Sequence, residues 1–478
     1  MQQHANTTQE VDLLISAGCI ITMNAERQII LDGAVAVNGS DIVAIGDAQS
    51  IRARYRGRKT IEAPRGLLTP GLVDVHNHPI DHLIKGLVDD LPQLQRLKER
   101  VIPFEDGLTE QEAYVASAAT YFEMIRHGTT SFMDAAGPHP AAVGNAALRV
   151  GMRGIISCKM ADLPGPFGGV AADPQHMIAL ADKTFDQFNG AGNGLLRGGY
   201  DIDFSPIVSD ALAQLVRDHA HERNAPITGH LIGRRPAPGD AAGYRNPDVK
   251  RYADLGLLGP RTTLAHIGWI PAEDVEVFAQ TGTNVAHCPS ASLLGGNGWV
   301  THGVIPDLLA AGVNVALGTD AAIISRFLDM VRVMHLASTA HKDARLDPML
   351  MPAYQVFEMA TLGSAKAMGW SDRIGSLEVG KAADLVIFDA SGPQWMPNRF
   401  SNPVPDLVYG SSGSDAQTVV INGVIVMEDK KFTDSALYQE IEAAVDIAAA
   451  DVLGRLGIYP KVHWPVTDGR ADSDAAKQ

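Results

Sequence analysis

The sequence predicts an α/β protein: a (β/α)8 TIM-type barrel with a small β-sandwich domain formed by both termini. Three observations predict it. Eight apolar or β-branched runs alternate with helical segments through the middle of the chain. Both ends carry short β-rich runs. Metal-type ligands stand where the middle runs end.

The β-rich start extends from Val11 to about Glu62, where Ala34–Asn38 and Ile42–Gly46 flank a hairpin-like Gly39-Ser40-Asp41. The same signature returns in Ala383–Phe388 and in Thr418–Met427, the latter broken by a turn-forming Asn422-Gly423. Residues 1–68 and 371–478 are therefore expected to make one sandwich, the second part adding a terminal helix and tail, around a catalytic barrel at 69–370. The barrel strands are expected at Leu72–Val75, Thr129–Asp134, Gly154–Cys158, Leu196–Asp203, Pro226–Leu231, Thr262–Ile267, Thr283–His287 and Val313–Thr319. Helix signals fall between them. Thr109 with Glu112 makes a capping box, and Gly128 stops that helix. Ser209 is placed to cap another that runs to Arg223. No Gly-rich phosphate loop opens any of these helices, so nucleotide binding has no support.

Bulk properties narrow the class. The chain has 478 residues, 46% of them hydrophobic, which suits a large core plus a satellite domain. A net charge of −16 leaves no basic footprint for nucleic acid. Cys19, Cys158 and Cys288 are far apart and sit in apolar runs, so they are read as reduced, buried thiols. The polar segment Met1–Glu10 lacks the features of a signal peptide, and no apolar run is long enough to span a bilayer. The expectation is a soluble, cytoplasmic protein acting on a small molecule, with no nucleic-acid or membrane partner.

The chemistry concentrates at strand ends, which in a barrel form the active face. The first strand ends in His76-Asn77-His78, and side chains at i and i+2 of a strand point the same way. Later strands end in His230, His266, His287-Cys288-Pro289 and Thr319-Asp320. Any one of these alone reads as a satisfied core group. Five strand ends carrying such residues resist that explanation, because buried polar groups are costly unless paired or bound. Neutral imidazoles with a carboxylate suit zinc, and also iron, cobalt, nickel or manganese. Three His and one Asp leave a position for water, as catalytic sites do. Asp320 could take a proton from that water, and His266 could stabilise charge on the attacked centre or orient the nucleophile.

The stretch Thr69–His78 resembles the opening signature of the amidohydrolase superfamily. Gly375–Val386 resembles that family's return into its β-sandwich. Arg126–Thr130, His287-Cys288-Pro289 and Gly318–Asp320 resemble the branch of triazine hydrolases and of cytosine, guanine and adenosine-type deaminases. The resemblance implies a mononuclear site with His76, His78, His230 and Asp320 as ligands to one divalent ion, zinc being the first choice and iron, cobalt or manganese alternatives. It also implies His266 and Asp320 as catalytic residues, His287 as a pocket residue, and a homo-oligomer of two or more copies. Lys159 follows the third strand, whereas the carboxylated lysine of binuclear relatives comes from the fourth, so it is read as an ordinary loop or pocket residue.

One departure shapes the substrate expectation. Deaminases of this branch carry a glutamate three residues after the fifth-strand histidine, where it shuttles a proton to the ring. Here that position is Gly233. Cleavage of an amide, urea, carbamate or thiocarbamate outside a ring needs no such proton, so a C–N hydrolase of that kind, suited to xenobiotic degradation, is the first expectation. A purine, pyrimidine or s-triazine deaminase or dehalogenase is the alternative, using Asp240, Asp203 or His287 instead. A catalytically silent assembly protein ranks below both, because the ligand set is intact. Phe167 and Trp299, on Pro- and Gly-rich loops, are expected to meet a lipophilic, aryl-bearing substrate.

Overall fold

The computed structural model describes residues 8–165, 169–232, 247–397, 399–459 and 464. Four strands open the chain: β1 (Gln9–Ile21), β2 (Ile29–Asn38), β3 (Asp41–Asp47) and β4 (Tyr55–Pro70). Ten follow through the middle: β5 (Leu72–His78), β6 (Thr129–Asp134), β7 (Arg153–Ile156), β8 (Leu196–Gly198), β9 (Tyr200–Phe204), β10 (Ile227–Leu231), β11 (Thr262–His266), β12 (Asn284–His287), β13 (Val315–Leu317) and β14 (Asp320–Ala321). Four more close it: β15 (Leu385–Asp389), β16 (Ala416–Ile421), β17 (Val424–Glu428) and β18 (Lys431–Phe432).

The outer strands form one eight-stranded sheet in the order β18-β17-β16-β15-β4-β1-β2-β3, so both termini build a single sheet. Asn422 and Gly423 take positive φ (52° and 78°) in the β16–β17 hairpin, the conformation that an Asn-Gly turn supplies. The middle strands form two parallel five-stranded sheets, β13-β12-β11-β10-β9 and β14-β5-β6-β7-β8. Their strands are buried on both faces, as expected when helices cover a parallel sheet. Val73, Val75, Met133, Ile155, Ala265 and Ala286, from both sheets, share one buried cluster. Among the described residues no helix is long and apolar enough to cross a membrane.

One expected strand is divided by the structure, and another is continued into a second sheet. Leu196–Asp203 splits at Gly199 into β8, paired with β7, and β9, paired with β10. The eighth run gives β13, paired with β12, and the chain continues past Thr319 into β14, paired with β5. At both points the chain thus passes from one parallel sheet to the other, and apolar periodicity does not register a change of partner. At the second crossing a Cβ on Gly318 would lie 2.9 Å from the His76 Cβ, so only glycine lets the strands approach this closely.

The helix caps behave as the sequence predicts. Thr109 and Glu112 make a reciprocal capping box on the helix Glu110–Arg126, and the Leu212 N–H donates to Ser209 Oγ (3.1 Å) on the helix Asp210–Glu222. Cys19, Cys158 and Cys288 are buried and free.

A buried ion pair ties the terminal sheet to the parallel sheet. Arg153 on β7 donates to Asp384 just before β15 (2.5 and 3.0 Å) and to Asn422 Oδ1 (2.8 Å), with both charged side chains 3% exposed or less. Removing one partner of such a pair strands the other charge. Arg153→Ala is therefore expected to cost about 3–5 kcal/mol in urea unfolding, and a loss below ~1 kcal/mol would contradict this role.

Candidate metal centre

Strand ends bring the ligand-type residues together. His76 and His78 close β5, and Asp320 opens β14 directly opposite Asn77. His230 lies on β10 beside β11, which ends at His266. Asp74 fixes the two chains that meet here: its Oδ1 accepts from the His76 N–H (3.2 Å) and the Thr319 N–H (3.0 Å), and its Oδ2 accepts from the Thr319 hydroxyl. The Asn77 amide donates to Thr319 Oγ1 and to the Asp320 carbonyl, both at 2.9 Å. His266 and Asp320 are held at positive φ (74° and 64°), a strained backbone that persists only where its surroundings over-determine it.

The result is a tight cluster. Asp320 Oδ1 lies 3.6 Å from His78 Nε2 and 3.9 Å from His76 Nε2, and its Oδ2 lies 3.9 Å from His266 Nε2. His230 Nε2 is 3.3 Å from His78 Nε2. His230 Nδ1 faces the Asp203 carbonyl at 3.1 Å, which leaves Nε2 turned to the cluster. Burial, followed by the neighbouring imidazoles, holds His76, His78 and His266 well below the usual histidine range, so they are neutral. Burial pushes Asp320 up to about 6 against the pull of His230.

These residues fit a divalent cation. Both ring nitrogens of His76 are buried without a hydrogen-bond partner, as is Nδ1 of His266. Ligand atoms of His76, His78 and His230 lie within 4.8 Å of one another, and so do those of His76, His266 and Asp320. Neutral imidazoles with outward lone pairs around a carboxylate answer the electrostatics of a cation and leave a core packing role unexplained.

The cluster opens into a cavity of about 360 Å³ whose wall includes His78, His230, His266, Asp320 and Trp299. Trp299 packs against His266 with ring centroids 4.7 Å apart and ring planes tilted by 32°. His287 does not line this cavity. It is buried, with Nε2 3.0 Å from His341 Nε2, so its polar edge is engaged by an outer helix instead of a ligand. Phe167, Gly233 and Asp240 lie outside the described residues. Asp203 and Lys159 do line the cavity, and Lys159 pairs with Glu105 at 3.3 Å and Asp203 at 3.9 Å.

Sequence reasoning missed Asp81, Arg96 and Glu105, all on the cavity wall. Asp81 sits in a short 3-10 turn after β5, and the other two on an irregular helical stretch from Gln93 to Gly107 that includes a π-type segment at Leu97–Val101. Ligand atoms of His78, Asp81 and Glu105 also lie within 4.8 Å of one another. Burial raises both carboxyls, Asp81 well above the usual range.

The sequence pattern of the Amidohydrolase family matches residues 67–426. The chain belongs to this family. As an amidohydrolase it is a hydrolase of carbon–nitrogen bonds other than peptide bonds. A 5-methylthioadenosine/S-adenosylhomocysteine deaminase of Syntrophobacter fumaroxidans is 32% identical over 425 residues, covering 89% of this chain and 94% of that one. A protein of the same name from Moorella thermoacetica is 32% identical over 419 residues, covering 86% and 94%. Among solved structures, an adenosine deaminase from Xanthomonas campestris with bound zinc superposes with a TM-score of 0.84 at 27% identity, covering 95% of this chain and 100% of that one. The zinc complex of an atrazine chlorohydrolase from Arthrobacter aurescens reaches a TM-score of 0.78 at 23% identity, covering 91% and 100%, and shares the fold. The zinc-bound adenosine deaminase structure and the His/Asp cluster together support a divalent metal ion in this amidohydrolase.

His76→Ala removes the imidazole common to both ligand sets. Elemental analysis of the purified variant is expected to find less than about a tenth of the wild-type metal content; wild-type content would exclude His76 as a ligand.

Proposed function

We propose that this amidohydrolase deaminates an aminated heterocycle of purine type, with His76, His78, His230 and Asp320 holding one divalent ion, zinc first among the choices. Support comes from the deaminases that cover most of the chain at 32% identity and from the adenosine deaminase structure at 27%. The observation that carries the reading is the pair of buried carboxyls, Asp81 and Glu105, beside the His/Asp cluster.

That pair also weighs against the first expectation from sequence. Gly233 favoured an amide, urea or carbamate because the ring seemed to lack a proton donor. Asp81 and Glu105 meet that need from another element: burial favours the protonated form of each, most strongly for Asp81, while Lys159 beside Glu105 works against it there. The known relatives then weigh toward the ring deaminase that was the alternative.

When bound, the ion supplies Lewis-acid activation of water and of the attacked centre. Asp320 accepts a proton from the attacking water and returns it to the departing nitrogen. Glu105 or Asp81 gives a proton to the ring nitrogen. The carbon–nitrogen bond to the exocyclic amine breaks, ammonia leaves, and the ring carbon becomes a carbonyl as its hydroxyl proton returns to the carboxylate that had protonated the ring. His266 donates toward the oxygen that gains charge, and Trp299, packed at a tilt against it, offers an aromatic wall to a planar ring. The same reading takes the two parallel sheets as halves of one (β/α)8 barrel over residues 69–370. The terminal sheet then folds on itself as a sandwich from residues 1–68 and 371–478.

A substrate panel tests the reading. Ammonia release from 6-aminopurine nucleosides is expected; release of an alkyl or aryl amine from ureas or carbamates, with no ammonia from any ring, would overturn it. Glu105→Gln keeps the shape but removes the acid, so kcat for deamination is expected to fall about 100-fold or more. An unchanged kcat would remove Glu105 from the mechanism.

A further inference from the structure

Two arginines in the described chain are buried, and they differ sharply. Arg153 has its guanidinium engaged by Asp384, Asn422 and the Gly194 carbonyl. Arg96 is 7% exposed and lines the cavity, yet its side chain makes no hydrogen bond or ion pair with any described residue. Its nearest opposite charges, Asp320 and Asp89, act on it only at longer range. A guanidinium stays protonated and offers five donors in a fixed fork. In this wall its donors face the cavity with no described side chain engaging them, so they stand available to a ligand that enters.

The rest of the wall sharpens the point. Lys159 is committed to Glu105 and Asp203, so Arg96 is the uncommitted cation of the cavity among the described residues. Leu94, Leu97, Val101 and Ile324 add apolar surface to the same cavity wall. A planar, doubly accepting anion matches the fork, and an apolar body matches the walls.

We propose that Arg96 is a specificity-determining residue that receives an anionic group, a carboxylate or a phosphate, carried by the substrate away from the reacting carbon. The inference rests on the deaminase reading for the reacting end of the substrate, and not for the anion itself. It acts through a bidentate contact that a neutral substrate does not make.

The test uses the full-length, metal-loaded enzyme and three substrates: adenosine, its 5′-carboxylate analogue and its 5′-phosphate. The readout is the ratio of kcat/KM for each anion over adenosine, with kcat and KM resolved separately. Wild type is expected to favour at least one anion, and which one identifies the source. In Arg96→Met that ratio is expected to fall roughly 10- to 100-fold, mostly through KM, with partial recovery in Arg96→Lys. A parallel titration measures the dissociation constants of inosine, its 5′-carboxylate and its 5′-phosphate, which need no turnover. If no ring is deaminated but anion affinity still depends on Arg96, the deaminase reading fails and this inference stands. If wild type shows no preference for either anion in both measurements, or if Arg96→Met and Arg96→Gln keep the wild-type ratio, the inference is overturned.

Discussion

Four imidazoles and one carboxylate crowded into a buried space set the terms for the whole site. Asp320 lies within 3.9 Å of three histidine rings, and His76 keeps both nitrogens buried without a partner. Such a cluster is unfavourable as plain protein, because desolvation keeps the rings neutral and drives the carboxyl toward its protonated form. A cation reverses each of those costs at once. The strained backbone of His266 and Asp320 and the Asp74–Thr319–Asn77 network are the structural means of holding that arrangement.

The fold serves this constraint. Both parallel sheets deliver their ligands from strand ends, and the crossing from β13 to β14 brings Asp320 to pair opposite Asn77. The terminal sheet stands behind them, fastened through Arg153 and Asp384. Asp384 belongs to the late motif Gly375–Val386, and the structure gives that motif a physical purpose: its aspartate neutralises a buried arginine of the parallel sheet.

Much of this was legible in the sequence, for definable reasons. The His-Asn-His spacing puts two imidazoles on one face of a strand, and histidines or aspartate at later strand ends lie at the same end of a parallel sheet. The capping box and the Asn-Gly turn rest on local backbone chemistry, and they held. What escaped notice lacks a period. Asp81, Arg96 and Glu105 come from short turns and an irregular helical stretch after β5, where no repeat tells an inward charge from a solvated one. The pairing of His287 with His341 joins residues 54 positions apart, which no local pattern records. That blindness to Glu105 and Asp81 is why Gly233 weighed so heavily toward an exocyclic amide.

The central claim concerns coordination by nitrogen and oxygen at one point. X-ray absorption spectroscopy at the metal edge of the purified protein tests it most directly. One ion among these residues gives a shell of about four or five N/O neighbours near 2.0–2.2 Å, with the outer scattering of about three imidazoles. A shell dominated by sulfur near 2.3 Å, or one with no imidazole scattering, would contradict it.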